Sequence, residues 1–176
     1  LRYLWNGLNF HAWMEMPLKE LHKELESLEL SDGETALVHP VISKLNDLVQ
    51  LGLGEYSMST LSTDISSGDA QRIKLVNQVN CNLQGILYVF DEPSIGLSTA
   101  YQKHLLGILR RLIRKGNTVM VVEHDLDFIQ AADWILELGP EAGVNGGEVL
   151  YNGCLEDFLN NKRIKSPTLD ALKNKE

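Results

Sequence analysis

The spacing of apolar residues predicts mostly helices in the front half of the chain. Leucines recur every three or four residues over 18–28, with Lys and Glu between them, which predicts an amphipathic helix. A second helix is predicted over 39–51, because Gly52 can then adopt a left-handed C-terminal cap. A third helix is predicted over 68–79. The intervening residues 53–67 are rich in Ser and Thr and are predicted to form a loop.

The pattern changes near residue 84 from helical spacing to short continuous apolar runs. Runs at 86–90, 118–122 and 134–138 predict strands that are buried on both faces of a parallel sheet. Helices are predicted between them, from Ser98 to Lys115 and over 126–132. This alternation of strands and helices predicts an α/β fold, with the carboxyl ends of the strands at one edge.

The two patterns suggest a division of the chain into domains. Residues 1–84 are predicted to form a helical subdomain, and residues 85–160 an α/β part that ends with an edge strand over 146–153. Residues 161–176 are polar and are expected to fray as a C-terminal tail.

Composition narrows the class of protein. The 176 residues are 44% apolar, which argues against disorder, and no apolar run approaches the roughly 18 residues of a membrane span. A net charge of −8 argues against general attraction to nucleic acid, although not against a local basic patch. Cys81 and Cys154 make neither a disulfide framework nor a zinc site. These features, with no visible secretory signal, predict a cytoplasmic protein. The first residue is Leu rather than Met, which suggests a piece of a longer chain.

Acidic residues follow the first predicted strand. Asp91 and Glu92 come directly after the apolar run and precede Pro93. Ligands of open α/β sheets bind at the carboxyl ends of strands, where one carboxylate can hold Mg²⁺ beside a phosphate and a second can polarise a water. Taken alone, the pair can equally be two acidic residues that turn into solvent.

Two further segments carry candidate chemistry. His124 follows the second predicted strand and could contact a phosphate, although a lone loop histidine is more often a solvated turn residue. Residues 65–72 place small side chains before a helix, where free backbone N–H groups and the helix dipole favour an anion. An ordinary Ser N-cap followed by a Gly explains that segment equally well when it is taken alone.

The order and spacing of the three segments resemble an ABC-type ATPase. Residues 65–72 (ISSGDAQR) resemble the signature sequence, LSGGEAQR in its commonest form, and residues 86–92 (ILYVFDE) resemble a Walker B strand with its catalytic Glu. Residues 94–97 resemble the D-loop, and His124 resembles the switch histidine. Within that family, the sequences DEPSIGL, NTVMVVEHD and above all GPEAGVNGGEV resemble the C-terminal half of UvrA, the ATPase component of excinuclease ABC. The resemblance extends to about residue 157.

The sequence departs from that family at several points. Ser67 replaces the usual first Gly of the signature, Asp69 replaces the usual Glu, and Ser98 stands where UvrA proteins commonly have His. The 176 residues contain no Walker A sequence G-x-x-x-x-G-K-[ST] and no paired CxxC zinc ligands. The simplest interpretation is a C-terminal fragment that lacks its Walker A portion.

The resemblance implies a partial ABC ATPase-like nucleotide-binding domain with parallel strands and a helical signature subdomain. It assigns catalysis to Glu92 and His124, and Mg²⁺ to Asp91. It also implies a set of residues that contact nucleotide: Ser66, Ser67, Gly68, Asp69, Gln71, Ser94 and Gly96.

The same resemblance implies ATP and Mg²⁺ as cofactors of the intact protein, with no zinc in this segment. The implied function is ATP-dependent recognition of DNA damage in nucleotide excision repair. The implied partners are the rest of the parent protein with its Walker A loop, a second nucleotide-binding domain or homodimer partner, DNA, and a UvrB-like protein, with no membrane. Two alternatives remain: a UvrA-like ATPase with another role such as drug resistance, or a non-catalytic interaction module. The isolated chain is expected not to hydrolyse ATP.

Overall fold

The computed structural model describes residues 4–81, 83–139 and 147–174. Most of the sequence GPEAGVNGGEV lies outside these ranges. The chain forms two compact units, Leu1–Val122 and Glu123–Glu176, called unit 1 and unit 2. This boundary differs from the divisions at residues 84 and 160, which stay a prediction. Within the described ranges, no helix is long and apolar enough to cross a membrane.

Unit 1 begins with a short hairpin and ends with a parallel strand pair. The hairpin turns at Asn6 and Gly7, which both have positive φ, as a two-residue hairpin turn requires. A π-helical turn (Val49–Leu53) and a 3₁₀ turn (Ser62–Asp64) interrupt the helical part. Its other elements are β1 (Leu4–Trp5), β2 (Leu8–Asn9), α1 (Phe10–Glu15), α2 (Leu18–Glu26), α3 (Asp32–Leu48), α4 (Ser67–Val79), β3 (Leu87–Asp91), α5 (Thr99–Arg114) and β4 (Thr118–Val122).

Unit 2 combines an antiparallel strand pair with short helices. Its elements are α6 (Leu126–Gln130), β5 (Trp134–Gly139), β6 (Glu148–Cys154), α7 (Leu155–Asn160) and α8 (Pro167–Lys173). The predicted α/β class is confirmed, because helices and strands alternate through both units.

The amphipathic pattern of the front half produces a small helical core. Trp13 of α1, Leu21 and Leu25 of α2 and Leu45 of α3 are buried together. Helix α3 begins at Asp32, so the expectation that the second helix starts at residue 39 is wrong.

The early start of α3 has a local cause. The backbone N–H of Ser31 donates to the Glu34 carboxylate (3.0 Å), completing a capping box that starts the helix well before Pro40. Pro40 then lies inside α3. Gly52 lies inside the π-helical turn that follows α3, and its φ of +84° is in the left-handed region predicted for it.

Strands β3 and β4 pair in parallel from Leu87↔Thr118 to Asp91↔Val122, as predicted. Tyr88 and Phe90 are buried on one face of β3, but Leu87 and Val89 on the opposite face are 57% and 59% exposed. The expectation that these strands are buried on both faces is therefore wrong, because helices of unit 1 cover one face only.

The third predicted strand does not extend this pair. Strand β5 is hydrogen-bonded to β6 in antiparallel orientation, from Trp134↔Cys154 to Gly139↔Glu148, with an irregularity after Glu137. The expectation of a parallel sheet of three strands is corrected accordingly. The pairing of β5 is antiparallel because β6 returns along it.

Residues 167–173 form helix α8, so the expectation of a frayed tail after Asn160 is wrong for them. Ser166 caps α8 through the Leu169 N–H (2.9 Å). Leu169 and Leu172 pack in a buried cluster with Phe158 of α7. Residues 161–176 are mostly polar, but they include two apolar residues three positions apart, Leu169 and Leu172. These two side chains are enough to anchor a short helix.

Basic residues of α5 and Lys115, which directly follows it, bind groups within unit 1. The Lys115 ammonium donates to the carbonyls of Val79 and Cys81 at the end of α4, the second at 3.1 Å. Arg111 donates to the carboxylate of Asp47, which is 1% exposed, and the His104 ring nitrogen lies 3.2 Å from the other oxygen of that carboxylate. These contacts join α5 to both α3 and α4.

We expect the Arg111→Met variant to lose about 3 kcal/mol of unfolding free energy, because the Asp47 charge would stay buried with only His104 beside it. Arg114→Met is the matched control, since Arg114 lies on the same helix but is exposed, and it should change the free energy by less than about 0.5 kcal/mol. Urea unfolding of the chain measures both. Equal effects of the two substitutions would contradict a structural role for the buried carboxylate.

Candidate functional site

The carboxyl ends of β3 and β4 lie side by side. Asp91 ends β3 and pairs in register with Val122, and the Glu92 backbone N–H donates to the Val122 carbonyl at 2.9 Å. Asp91 is exposed, so its carboxylate stands at an accessible sheet edge. His124 follows Val122 by two residues in the sequence and belongs to unit 2. Its placement next to Asp91 stays a prediction.

The chain turns sharply after β3. Glu92 has φ of +45°, a left-handed conformation that costs a residue with a Cβ about 1 kcal/mol or more. The Ile95 N–H donates to the Glu92 carbonyl (3.2 Å), and the Leu97 N–H donates to the carbonyl of the buried Ser94 (3.0 Å). Gly96 has φ of +73°, so the turn itself explains the Gly.

The residues that resemble a signature sequence start helix α4. The Ser66 hydroxyl accepts a hydrogen bond from the Asp69 N–H (3.1 Å), which makes Ser66 the N-cap. Ser67 is the first helical residue, and its side chain is exposed. A Cβ added at Gly68 would meet only the Arg72 guanidinium, at 3.8 Å, so packing within the chain does not require Gly there.

Asp69 is the centre of a hydrogen-bond network. Its Oδ2 accepts from the Tyr56 hydroxyl (2.8 Å) and from the Ser66 hydroxyl (2.7 Å), and its Oδ1 accepts from Arg72. Partial burial raises the pKa of Asp69, but the hydrogen bonds from Arg72, Ser66 and Tyr56 outweigh it, so the net pKa lies below the ordinary value. The pKa of Tyr56 is raised, chiefly by its hydrogen bond to Asp69.

Helix α4 also contacts the end of β3. The Gln71 side-chain amide donates to the Asp91 carbonyl oxygen at 3.4 Å. Two of the predicted site residues, one from each sequence segment, are therefore neighbours within unit 1. The cause is the packing of α4 beside α5, which brings the N-terminal turns of α4 to the carboxyl edge of the strands.

In unit 2 the residues around His124 form the start of a short helix. The Asp125 carboxylate accepts from the Asp127 N–H (2.8 Å) and the Phe128 N–H (3.4 Å), which caps α6. The His124 N–H donates to the Glu123 carboxylate at 3.2 Å. The cap holds the backbone immediately after His124, whose side chain is exposed.

The donor set at Asp91 fits a cation that shares its ligands with a phosphate. In the described part of the chain, no three His, Cys, Asp or Glu side chains gather as a metal cluster. Asp91, which is exposed, and Glu92, which is half-buried, are adjacent carboxylates at the end of β3. Mg²⁺ in nucleotide sites commonly takes one or two carboxylates and completes its shell with phosphate oxygens and water.

Comparison with known proteins identifies relatives over most of the chain. UvrABC system protein A from Mycoplasmopsis pulmonis is 40% identical over 160 residues, which are 89% of this chain and 17% of that protein. The protein of the same name from Thermus thermophilus is 40% identical over 159 residues, 87% of this chain and 17% of that protein. No family model matches the chain.

Solved structures agree with the sequence relatives. UvrA2 from Deinococcus radiodurans superposes with a TM-score of 0.84 at 34% identity, over 98% of this chain and 23% of that one. The chain is similar to UvrA proteins over nearly all of its length. An ATP-binding subunit of an ABC transporter has a TM-score of 0.56 at 22% identity, over 93% of this chain and 63% of that one, and this likeness concerns the fold. The chain spans about a sixth of the length of the UvrA relatives that it matches.

The sequence does not predict Tyr56 as a hydrogen-bond partner of the segment at residues 65–72. Tyr56 lies 13 residues before Asp69 in a stretch predicted to be loop, and no periodicity points to it. The one available signal was an aromatic side chain within a run rich in Ser and Thr. Asp69 itself was predicted as a nucleotide contact, but the structure shows its carboxylate engaged by three side chains of this chain.

We expect Asp69→Asn to lower the unfolding free energy by about 2 kcal/mol at pH 7, because a carboxylate that accepts charge-assisted hydrogen bonds is lost. The native pKa of Asp69 is depressed, so its contribution is fully present above the unfolded pKa of about 4 and disappears as the pH falls through the lower native value. Urea unfolding from pH 7 downwards should therefore show the difference between wild type and variant shrinking below about pH 4.

The matched control for this experiment is Asp64→Asn, an exposed aspartate in the preceding loop. It should change stability by less than about 0.5 kcal/mol across the same range. A difference for Asp69→Asn that stays constant with pH would show that the ionised carboxylate is not what stabilises this region.

Proposed function

We propose that this segment supplies the signature and Walker B portions of an ATPase of the UvrA type, which acts in ATP-dependent recognition of DNA damage during nucleotide excision repair. One observation carries the proposal. The hydrogen bond from Glu92 N–H to the Val122 carbonyl aligns the ends of two parallel strands, the position at which α/β proteins bind ligands.

In this proposal the residues at the end of β3 serve a nucleotide. Asp91 would hold Mg²⁺, and the metal would supply charge neutralisation at the phosphates. Glu92 orients the attacking water. For unit 2, the proposal assigns to His124 a contact with a nucleotide phosphate. Phosphoryl transfer depends mainly on such positioning and charge stabilisation. The strained backbone of Glu92 supports this role, because strain of this kind concentrates at functional sites.

The signature segment serves a nucleotide held by another domain. The exposed Ser66 and Ser67 and the open space at Gly68 support a close approach of phosphate to the first turn of α4, where the helix dipole favours an anion. In the proposal Gln71 and Asp69 set the position of this turn. Ser94 and Gly96 shape the turn that follows the Walker B strand.

The site requires partners outside this segment. The Walker A loop would come from the rest of the parent protein, since the 176 residues contain no such sequence. The exposed apolar faces of the strands support a covering by further chain: Leu87, Val89, Met120 and Val122 in unit 1, and Trp134, Leu136 and Leu138 in unit 2. Parallel sheets in α/β proteins are normally covered on both faces.

The names of the relatives support the remaining parts of the proposal. A second nucleotide-binding domain or homodimer partner, DNA and a UvrB-like protein are the proposed partners of the intact protein, in the cytoplasm. ATP and Mg²⁺ are its proposed cofactors, and no zinc ligand is assigned to this segment.

We expect Glu92→Gln in the full-length gene product to reduce ATP hydrolysis by about 10²-fold or more, because the water loses its general base, while ATP binding persists. Glu156→Gln, an exposed site on α7, is the matched control and should leave hydrolysis unchanged. Phosphate release measures hydrolysis, and equilibrium dialysis with labelled ATP measures binding. The purified 176-residue chain should show no Mg²⁺-dependent hydrolysis, because its sequence contains no Walker A loop to position the phosphates of a nucleotide at Glu92.

The repair role needs a separate arm of the experiment. Adding ultraviolet-irradiated duplex DNA to the full-length protein should change its rate of ATP hydrolysis more than the same duplex without damage does. Equal responses to the two duplexes would contradict damage recognition while leaving the ATPase assignment intact. If the isolated chain hydrolyses ATP and the Glu92→Gln substitution abolishes that hydrolysis, the proposed need for a Walker A loop outside this segment is refuted.

A further inference from the structure

Two hydroxyl groups share one carboxylate oxygen at the start of α4. Tyr56 and Ser66 both donate to Oδ2 of Asp69, at 2.8 and 2.7 Å, while Arg72 binds Oδ1. The Ser66 oxygen also accepts from the Asp69 N–H at 3.1 Å. The single hydroxyl hydrogen of Ser66 is therefore directed to Asp69 in this structure.

This arrangement conflicts with a contact between Ser66 and phosphate. A serine hydroxyl has one hydrogen, so Ser66 cannot donate to a phosphate oxygen and to Asp69 at the same time. Turning that hydrogen away removes one donor from a carboxylate that is partly shielded from water. Loss of a hydrogen bond to a carboxylate that is shielded from water costs free energy. The cost is smaller if a second hydrogen-bond donor remains on the same oxygen.

Tyr56 is anchored independently of α4. Its carbonyl accepts from the Leu18 N–H (2.7 Å) and its own N–H donates to the Leu53 carbonyl (3.2 Å). Its ring packs against the helical core that contains Leu21 and Leu45. The backbone and ring of Tyr56 are therefore held by elements other than the one that carries Ser66.

We propose that Tyr56 is a positioning residue that stays bound to Oδ2 of Asp69 when Ser66 turns its hydroxyl hydrogen to the phosphate of a nucleotide. This inference rests on the proposed function, which places a nucleotide at Ser66. Tyr56 lowers the cost of releasing the Ser66 hydroxyl and keeps the first turn of α4 in place during the exchange. It touches neither nucleotide nor reacting atoms.

The test uses the full-length protein and ATP with Mg²⁺. Tyr56→Phe keeps the ring and removes only the hydroxyl, so Ser66 becomes the sole hydroxyl donor to Oδ2. We expect the KM for ATP to rise about 5-fold, the equivalent of one hydrogen bond, with kcat changed less than 2-fold. Tyr101→Phe, an exposed tyrosine on α5, is the matched control and should change neither constant.

A double-mutant cycle separates this role from a purely structural one. In the Ser66→Ala background, which has no hydroxyl to release, Tyr56→Phe should have no further effect on KM. A structural role would raise KM by the same factor in both backgrounds, and that result would overturn the inference. An unchanged KM in the single Tyr56→Phe variant would overturn it as well.

The Glu92→Gln variant distinguishes failure of this inference from failure of the proposed function. If Glu92→Gln abolishes hydrolysis but Tyr56→Phe behaves like Tyr101→Phe, only the role of Tyr56 is refuted. If Glu92→Gln has no effect on hydrolysis, the proposed function fails and the inference falls with it.

Discussion

The buried carboxylate of Asp47 is the interaction on which the arrangement of unit 1 depends. It lies on α3 and binds His104 and Arg111 of α5, so that a charge with almost no access to water is compensated by two groups of one neighbouring helix. Helix α5 in turn packs against α4 and β4. Because α4 carries the signature segment and β4 forms the sheet edge, a single helix places both halves of the candidate site.

A buried polar side chain also connects α5 to the beginnings of strands β3 and β4. Asn117 is buried just before β4, where its side-chain oxygen accepts from the Ile86 N–H (3.1 Å) and its amide donates to the Leu112 carbonyl (3.0 Å). One side chain therefore joins the beginning of β3 to the end of α5. Each such group satisfies backbone atoms that the loops leave open, which is the usual role of buried polar side chains.

The elements that were predictable from the sequence are those with purely local signals. Strands β3 and β4 follow from continuous apolar runs, and α5 follows from its N-terminal Ser98 and the glycine stop at Gly116, which has φ of +86°. The start of helix α3 lies before the predicted residue 39, because the capping box at Ser31 decides the boundary. The exposure of one strand face was not predictable, because an apolar sequence does not show what covers it.

Among the residues of the candidate site, too, those with local sequence signals were predictable and those that depend on distant contacts were not. Asp91 and Glu92 could be placed because a strand end followed by acidic residues is visible in the sequence. Tyr56 and Asp47 could not, because their partners lie 13 and 57 or more residues away and depend on how helices pack. Sequence similarity to UvrA proteins identifies the segments, but the network around Asp69 comes from side chains whose spacing carries no signal.

The uncovered strand faces also bear on how such a segment could exist by itself. Among the described residues, β3 and β4 pair only with each other, and so do β5 and β6, so each pair has open backbone edges beside an exposed apolar face. Strands of this kind readily add strands from other molecules. Covering these faces and edges is therefore a condition for keeping the segment free of strand-mediated association.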